Sequence, residues 1–137
     1  MKIMVDTNII VSAALFKGKA IAELLDYIFN NHQLVLSNTI IDEVKEVIKY
    51  KFPSKLCEMD AFFESISFEY QHTATGNAYE IDIRDVDDRK IIASARMAQV
   101  DILITGDNDF FDRKYDELEI LRPIEFVNKY IKQKNIP

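Results

Sequence analysis

The sequence predicts an α/β fold with a mainly parallel central sheet of about four to five strands. Short apolar segments alternate along the chain with longer segments whose apolar residues recur at helical spacing. Buried parallel strands have continuous apolar runs, and residues 2–5, 34–36, 102–104 and 118–121 have that character. The chain has 137 residues, and 48% of them are hydrophobic. It is therefore long enough for one domain with a substantial core.

Apolar spacing, caps and turn residues predict the elements in order. Ser37 or Asn38 offers a helix cap, and Pro123 suits the first turn of a last helix. The predicted order is a strand at 2–5, a helix at 20–29, a strand at 34–36, helices at about 40–52 and 54–64, a strand at 66–70, a helix from 85 or 87 to 99, strands at 102–104 and 118–121, and a helix from 123.

Composition limits the classes of protein to which the chain can belong. It carries 17 Lys and Arg against 23 Asp and Glu, whereas proteins that bind nucleic acid by overall charge are usually basic. A nucleic-acid role therefore requires a local basic patch or metal ions that reverse the sign of an acidic site. The alternative is simply a soluble acidic protein. A lone Cys57 excludes an intrachain disulfide and a thiolate-rich zinc site.

The start of the sequence and the absence of a dividing segment predict a cytoplasmic protein of one domain. The apolar start is interrupted at Asp6, lacks a cleavage signal and is far shorter than the roughly 20 residues of a membrane-spanning helix. No linker, repeat or low-complexity tract divides the sequence. We therefore expect a single domain over residues 1–137, with 132–137 as a flexible tail.

A carboxylate interrupts the most apolar segment of the chain, IMVDTNII at residues 3–10. Asp6 follows directly after the first predicted strand. Ligands of parallel α/β sheets bind beyond the carboxyl ends of the strands. Asp6 is therefore the first candidate site residue.

Two further acids lie on or beside predicted apolar helix faces. Glu43 falls at the edge of its apolar stripe, next to Val47, although solvated Glu is also common at such positions. Asp88 falls at the centre of a stripe that continues at Ile91 and Ile92. A buried carboxylate needs a cation or several donors. The alternative for Asp88 is an ordinary first-turn acid favoured by the helix dipole.

The fourth candidate lies in the segment ILITGDNDF. A buried strand ends at Thr105, Gly106 allows a tight turn, and Asp107 and Asp109 follow. Taken alone, this is an ordinary turn with Asp caps. The turn becomes a candidate part of the site if its strand lies beside the first strand, because Asp107 would then face Asp6.

Four carboxylates at one edge of a sheet require cations if they are to stay ionised together. Hard divalent ions such as Mg²⁺ or Mn²⁺ prefer oxygen ligands, and no His lies in these motifs to favour zinc. Metals held by carboxylates assist phosphodiester hydrolysis. A metal site would therefore reconcile an acidic protein with a polyanionic substrate.

Four motifs in order, VDTNII, IIDEV, DDRKIIASA and ITGDNDF, resemble those of the PIN-domain nucleases. The chain is most similar to the VapC-type toxins of toxin–antitoxin pairs, and the terminal LRPIEFVNKYI resembles the closing strand and helix of that group. The resemblance spans essentially the whole chain. It implies a PIN-like three-layer α/β/α sandwich with the sheet between the helices.

The resemblance also implies which residues form the site. The family's four acids fall, in order, on Asp6, Glu43, Asp88 and Asp107. Asn8 and Thr105 match polar residues that support the site by hydrogen bonding. Asp109 matches an acid that binds a second metal or supports the turn. Asp85 matches a frequent acid whose role stays open.

By analogy, the activity is Mg²⁺- or Mn²⁺-dependent hydrolysis of RNA by an endoribonuclease. Asp6 and Asp88 would be the central metal ligands, and Glu43 and Asp107 would ligate metal or orient water. The family further implies a homodimer and an antitoxin protein as partners. A PIN-type RNA-processing nuclease without a toxin role is the nearest alternative.

Three other classes of protein fit the sequence less well. A magnesium-binding receiver-like signalling domain usually has an acidic pair after its first strand and a later strand-end Lys, and neither is present here. A dehalogenase-like phosphotransferase would have Asp-x-Asp where this chain has Asp6, Thr7 and Asn8. A non-catalytic scaffold explains the caps and turns but not Asp88 on the core face.

Overall fold

The computed structural model of this protein describes residues 1–16, 18–73, 86–112 and 114–132. Its strands are β1 (Lys2–Val5), β2 (Gln33–Ser37), β3 (Glu69–Gln71), β4 (Ile102–Ile104) and β5 (Glu119–Leu121). Its helices are α1 (Thr7–Val11), α2 (Lys19–Asn31), α3 (Asn38–Lys51), α4 (Leu56–Ser65), α5 (Val86–Met97) and α6 (Pro123–Phe126). π-Helical turns at Ser12–Phe16 and Val127–Lys132 continue α1 and α6, and 3-10 turns lie at Pro53–Lys55 and Asn108–Phe111.

The five strands form one parallel sheet in the order β3-β2-β1-β4-β5. Chain order reverses at β1, which pairs with β2 on one side and with β4 on the other. Val5 is opposite Ile104 in the register of β1 and β4. The residues that follow these two strands are therefore neighbours, at the point in such sheets where ligands bind.

The central strands are buried on both faces, which explains their uninterrupted apolar sequences. Ile3, Met4 and Val5 of β1 and Leu103 and Ile104 of β4 are fully buried. Helices flank the sheet, and their apolar stripes complete the core. The residues that contribute from α2, α3 and α5 include Leu24, Leu25, Ile28, Ile40, Val44, Ile48, Ile91, Ile92 and Ala95. The predicted α/β class with a parallel central sheet is confirmed.

The boundaries differ from the predicted ones at a few places. α1 has no counterpart in the sequence analysis, because five residues are too few to display a helical period. The strand predicted at 66–70 is the short edge strand β3, Glu69–Gln71. Gly106 does not have a positive φ, and a Cβ there would meet open space. The turn at this position therefore does not require glycine.

The C-terminal region agrees in part with the sequence analysis. Pro123 is in the first turn of α6, as predicted, and Glu125 accepts a hydrogen bond from the backbone N–H of Arg122, 2.9 Å away. Residues 133–137 of the predicted tail lie outside the described residues, whereas Lys132 belongs to the last π-helical turn. None of the described helices combines the length and the apolar character needed to cross a membrane.

Candidate metal centre at the carboxyl ends of the strands

Asp6 lies at the junction of β1 and α1 and is only 5% exposed. Its backbone N–H extends the sheet ladder by donating to the carbonyl of Ile104, 2.9 Å away. Its side chain caps α1, because Oδ1 accepts a 2.7 Å hydrogen bond from the backbone N–H of Thr7. The second carboxylate oxygen, Oδ2, accepts a 2.8 Å hydrogen bond from the hydroxyl of Thr105. The polar interruption of the apolar run is thus both a helix cap and a buried acid at the strand end.

Burial raises the pKa of the Asp6 carboxyl above its ordinary value of 3.8. The hydrogen bonds from Thr105 and from the backbone of Thr7 oppose that effect, because they stabilise the ionised form. The negative charge of Asp107 raises the pKa further. A bound cation would act in the opposite direction and favour the carboxylate.

Thr105 connects Asp6 to the turn that carries the other acids. While its hydroxyl donates to Asp6, the same oxygen accepts a 3.1 Å hydrogen bond from the backbone N–H of Asp107. Asp107 in turn caps the 3-10 turn, and its Oδ1 accepts from the backbone N–H of Asp109 at 2.9 Å. One hydroxyl therefore connects the residue after β1 to the turn after β4, and the supporting role of Thr105 in a metal site stays a prediction.

Three carboxylates from two elements of the fold lie close together. One carboxylate oxygen each from Asp88, Asp107 and Asp109 lies within 4.8 Å of the other two. Asp88 is near the start of α5, and the other two belong to the turn after β4. An all-oxygen donor set without His or Cys fits a hard divalent cation such as Mg²⁺ or Mn²⁺. The residues present therefore suit the metal that the sequence predicts.

Glu43 reaches the site from α3 through a residue that the sequence analysis did not assign to it. The hydroxyl of Thr7 donates a hydrogen bond to Oε2 of Glu43. Thr7 directly follows Asp6 and is 6% exposed, so the contact lies beside the buried acid. The first turn of α1 thus holds Asp6 through its backbone and Glu43 through its side chain.

Arg122 braces the turn that carries Asp107 and Asp109. Its guanidinium donates to the carbonyl of Gly106 at 3.2 Å and to the side-chain oxygen of Asn108 at 2.6 Å. The same group lies 4.2 Å from the ring centroid of Phe111. The sequence analysis did not assign this residue to the site, because its place beside the turn depends on the pairing of β5 with β4.

Three further residues were predicted for the site, and the outcome differs among them. The side chain of Asn8 is exposed on α1, and within the described residues it makes no hydrogen bond to the acids. Its supporting role stays a prediction. Asp85 lies outside the described residues. Asp109, the additional acid of the sequence analysis, lies close to Asp88 and Asp107.

Comparisons with known proteins agree with the observed fold. The sequence profile of the PIN domain matches residues 2–109, which is most of the chain. No curated protein sequence matches it. Among solved structures, VapBC2 from Rickettsia felis, bound to a DNA fragment from its promoter, has a TM-score of 0.71 at 20% identity, covering 88% of this chain and 97% of that one.

Two further solved structures have the same fold. VapC20 of Mycobacterium tuberculosis, a toxin that cleaves the sarcin–ricin loop, has a TM-score of 0.58 at 15% identity over 84% of this chain and 97% of its own. FitAcB from Neisseria gonorrhoeae has a TM-score of 0.57 at 17% identity, covering 89% of this chain and 98% of that one. The match of the family profile, together with the parallel sheet and its acidic edge, shows that this chain belongs to the PIN domain family.

Proposed function

We propose that this chain is a Mg²⁺- or Mn²⁺-dependent endoribonuclease and the toxin component of a toxin–antitoxin pair. The observation that carries the proposal is the convergence of Asp88, Asp107 and Asp109 beside the buried Asp6. Closely spaced carboxylate oxygens are the ligands that hard divalent cations prefer. The group lies at the reversal of strand order, where α/β sheets bind ligands.

Each acid has a role that follows from its surroundings. Asp88, Asp107 and Asp109 would hold the metal, because their oxygens already lie close together. When bound there, the ion supplies stabilisation of the negative charge that develops on the phosphate. Asp6 completes the metal-binding edge, held by Thr105 and the cap of α1. Glu43, fixed by the hydroxyl of Thr7, orients the attacking water and accepts its proton.

The toxin role is supported by the structures to which the chain is similar. They include a VapBC2 assembly and a VapC20 toxin, and the chain matches nearly the full length of each. An antitoxin protein is the partner that this role requires. We also infer a homodimer, which light scattering of the purified chain at several concentrations would test.

The test is cleavage of labelled structured RNA by the purified chain with Mg²⁺ or Mn²⁺, beside Asp88→Asn. We expect cleavage by the parent and its loss in a folded variant. Asp26→Asn is the matched control, because Asp26 is an exposed acid on α2. Calorimetric titration of metal into the same samples separates the site from the substrate. Absence of metal binding by the parent would overturn the proposal.

A further inference from the structure

The guanidinium of Arg122 is a cation fixed at the carboxyl edge of the sheet. Arg122 follows β5 directly, and the pairing of β5 with β4 places it beside the turn that begins at Gly106. Its two terminal nitrogens donate to the carbonyl of Gly106 at 3.2 Å and to Oδ1 of Asn108 at 2.6 Å. Asp107, one of the three clustered acids, lies between these two contacts in the chain. Arg122 is therefore next to the proposed metal site.

The positive charge of Arg122 is not neutralised by a neighbouring acid. Both groups that accept from the guanidinium, a carbonyl and a side-chain amide, are uncharged. No carboxylate among the described residues forms an ion pair with it. Arginine binds carboxylates and phosphates most strongly when its N–H donors meet a charged acceptor. The charge of Arg122 is therefore free to attract an anion from outside the chain.

The guanidinium is held in place and still has donors to offer. Arginine has five N–H donors, and those that do not bind Gly106 or Asn108 make no hydrogen bond to a described residue. Its Cζ lies 4.2 Å from the ring centroid of Phe111, which supports one face of the group. Gly106 and Asn108 are exposed, so solvent reaches this part of the turn. Because these contacts already order the side chain, a ligand that binds it loses little further entropy.

We propose that Arg122 binds a phosphate of the RNA strand, next to the phosphate that is cleaved. The inference rests on the proposed function and adds to it a contact that positions the strand. The metal held by Asp88, Asp107 and Asp109 would take the cleaved phosphate. Arg122 contacts the backbone and the amide of this turn but none of the three carboxylates. The phosphate that it binds is therefore a neighbour along the strand.

This contact would explain how an acidic chain holds a polyanion. The formal net charge of the chain is −6, so overall electrostatics oppose RNA binding. A cation fixed beside the acidic cluster supplies local attraction where the strand must lie. The alternative is that Arg122 only braces the turn. Its loss would then change metal affinity but leave RNA binding without metal unchanged.

The test is an NMR titration of the ¹⁵N-labelled full chain, in EDTA, with a short single-stranded oligouridine. The proposed cleavage needs metal, so the RNA stays intact and an effect of Arg122 on metal affinity cannot contribute. We expect the side-chain Nε–H resonance of Arg122, assigned by its loss in Arg122→Gln, to shift. The resonance of Arg96 should stay in place. Arg96 is the internal control, because it is an exposed arginine in the last turn of α5 whose Cζ lies 5.2 Å from the ring centroid of Tyr115.

Uridine and inorganic phosphate are the ligand controls. Uridine has the base and the sugar without a phosphate, and it should shift neither arginine resonance. Inorganic phosphate has the charge without the strand, so it lacks the further contacts that raise the affinity of an oligonucleotide. Equal shifts with RNA and with inorganic phosphate, at the same phosphate concentration, would indicate a site for a free anion and would overturn the strand contact.

Variants of Arg122 connect the contact to RNA affinity, which fluorescence anisotropy of the labelled oligouridine in EDTA measures. Arg122→Gln should weaken binding roughly tenfold at low salt. The slope of log affinity against log salt concentration should fall by about 0.7, the value for one phosphate of a single strand. Arg122→Lys keeps the charge without the planar fork, so it should keep the slope and recover part of the affinity. Arg96→Gln should behave like the parent.

The outcomes separate this inference from the proposed function. An Arg122 resonance that does not move with RNA, or an unchanged salt slope in Arg122→Gln, would overturn the phosphate contact even if the chain cleaves RNA. A shift at Arg122 but not at Arg96, together with the reduced slope, would support it. If such a chain binds no metal and cleaves no RNA, the proposed function fails while the phosphate contact is retained.

Discussion

The hydroxyl of Thr105 donates a 2.8 Å hydrogen bond to the buried carboxylate of Asp6, joining residues that are 99 positions apart in the chain. The same oxygen accepts from the backbone of Asp107. One side chain thereby links the end of β1 to the turn after β4. Both parts of the acidic edge depend on it.

Thr105→Val should therefore destabilise the chain and weaken the site. Valine has nearly the same shape, so the change leaves an ionisable group and a backbone N–H without their partner rather than a cavity. We expect a loss of about 1–3 kcal/mol in the free energy of unfolding, measured by urea denaturation. Thr105→Ser keeps the hydroxyl and should recover most of the loss. Unchanged stability in Thr105→Val would contradict the assigned hydrogen bonds.

Asp6 should make the stability of the metal-free chain depend on pH. Its pKa is raised by burial, so the folded chain binds this proton more tightly than the unfolded chain does. The contribution of Asp6 to the free energy of unfolding must then fall as pH rises from its ordinary pKa of 3.8 through the raised value, and stay level above it.

Asp6→Asn removes that contribution. Urea denaturation of parent and variant with EDTA, from about pH 4 to about pH 8, should show the variant gaining stability relative to the parent as pH rises. The variant must also remain folded, because Oδ1 of an amide can still cap α1. A difference that is constant with pH would argue against a raised pKa at Asp6.

A divalent metal should stabilise the folded chain through Asp88, Asp107 and Asp109. At a free metal concentration of about 100 times Kd, binding adds about 2.7 kcal/mol to the free energy of unfolding. The gain is read as a rise in Tm with Mg²⁺ or Mn²⁺ that EDTA reverses. Asp88→Asn should lose the rise and Asp26→Asn should keep it. A similar rise in both variants would place the metal elsewhere.

Arg122→Ala should weaken metal binding although Arg122 is not itself a ligand. The guanidinium fixes Gly106 and Asn108, on either side of Asp107. Groups that orient metal ligands in this way commonly contribute about 10–100-fold to affinity. Calorimetric titration measures the loss, and urea denaturation checks that the fold is retained.

Gly106→Ala provides the control for that turn. No described glycine has a positive φ, and a Cβ at Gly106 would meet open space. Metal affinity in this variant should stay within about twofold of the parent, a difference that calorimetry barely separates from zero. A large loss in Gly106→Ala with none in Arg122→Ala would mean that backbone conformation, and not the arginine, orders the turn.

The sequence by itself determined the strands, most helices and the acids that we propose for the metal site. Local patterns carry this information: continuous apolar runs mark β1 and β4, Ser37 marks the start of α3, and Asp88 interrupts the apolar stripe of α5. Asp6 could be singled out because a carboxylate after a buried strand conflicts with its apolar neighbours. The short α1 was not predicted, because five residues are too few to show the helical repeat of apolar positions.

Only the tertiary structure decided which residues meet. The contact of Thr7 with Glu43 depends on β2, which leads into α3, lying beside β1. The bridge of Thr105 depends on β4 lying beside β1, and the contacts of Arg122 depend on β5 lying beside β4. Strand order and register arise from packing over the whole sheet, and no local pattern encodes them. For the same reason, the approach of Asp109 to Asp88 and Asp107 became visible only in the folded chain.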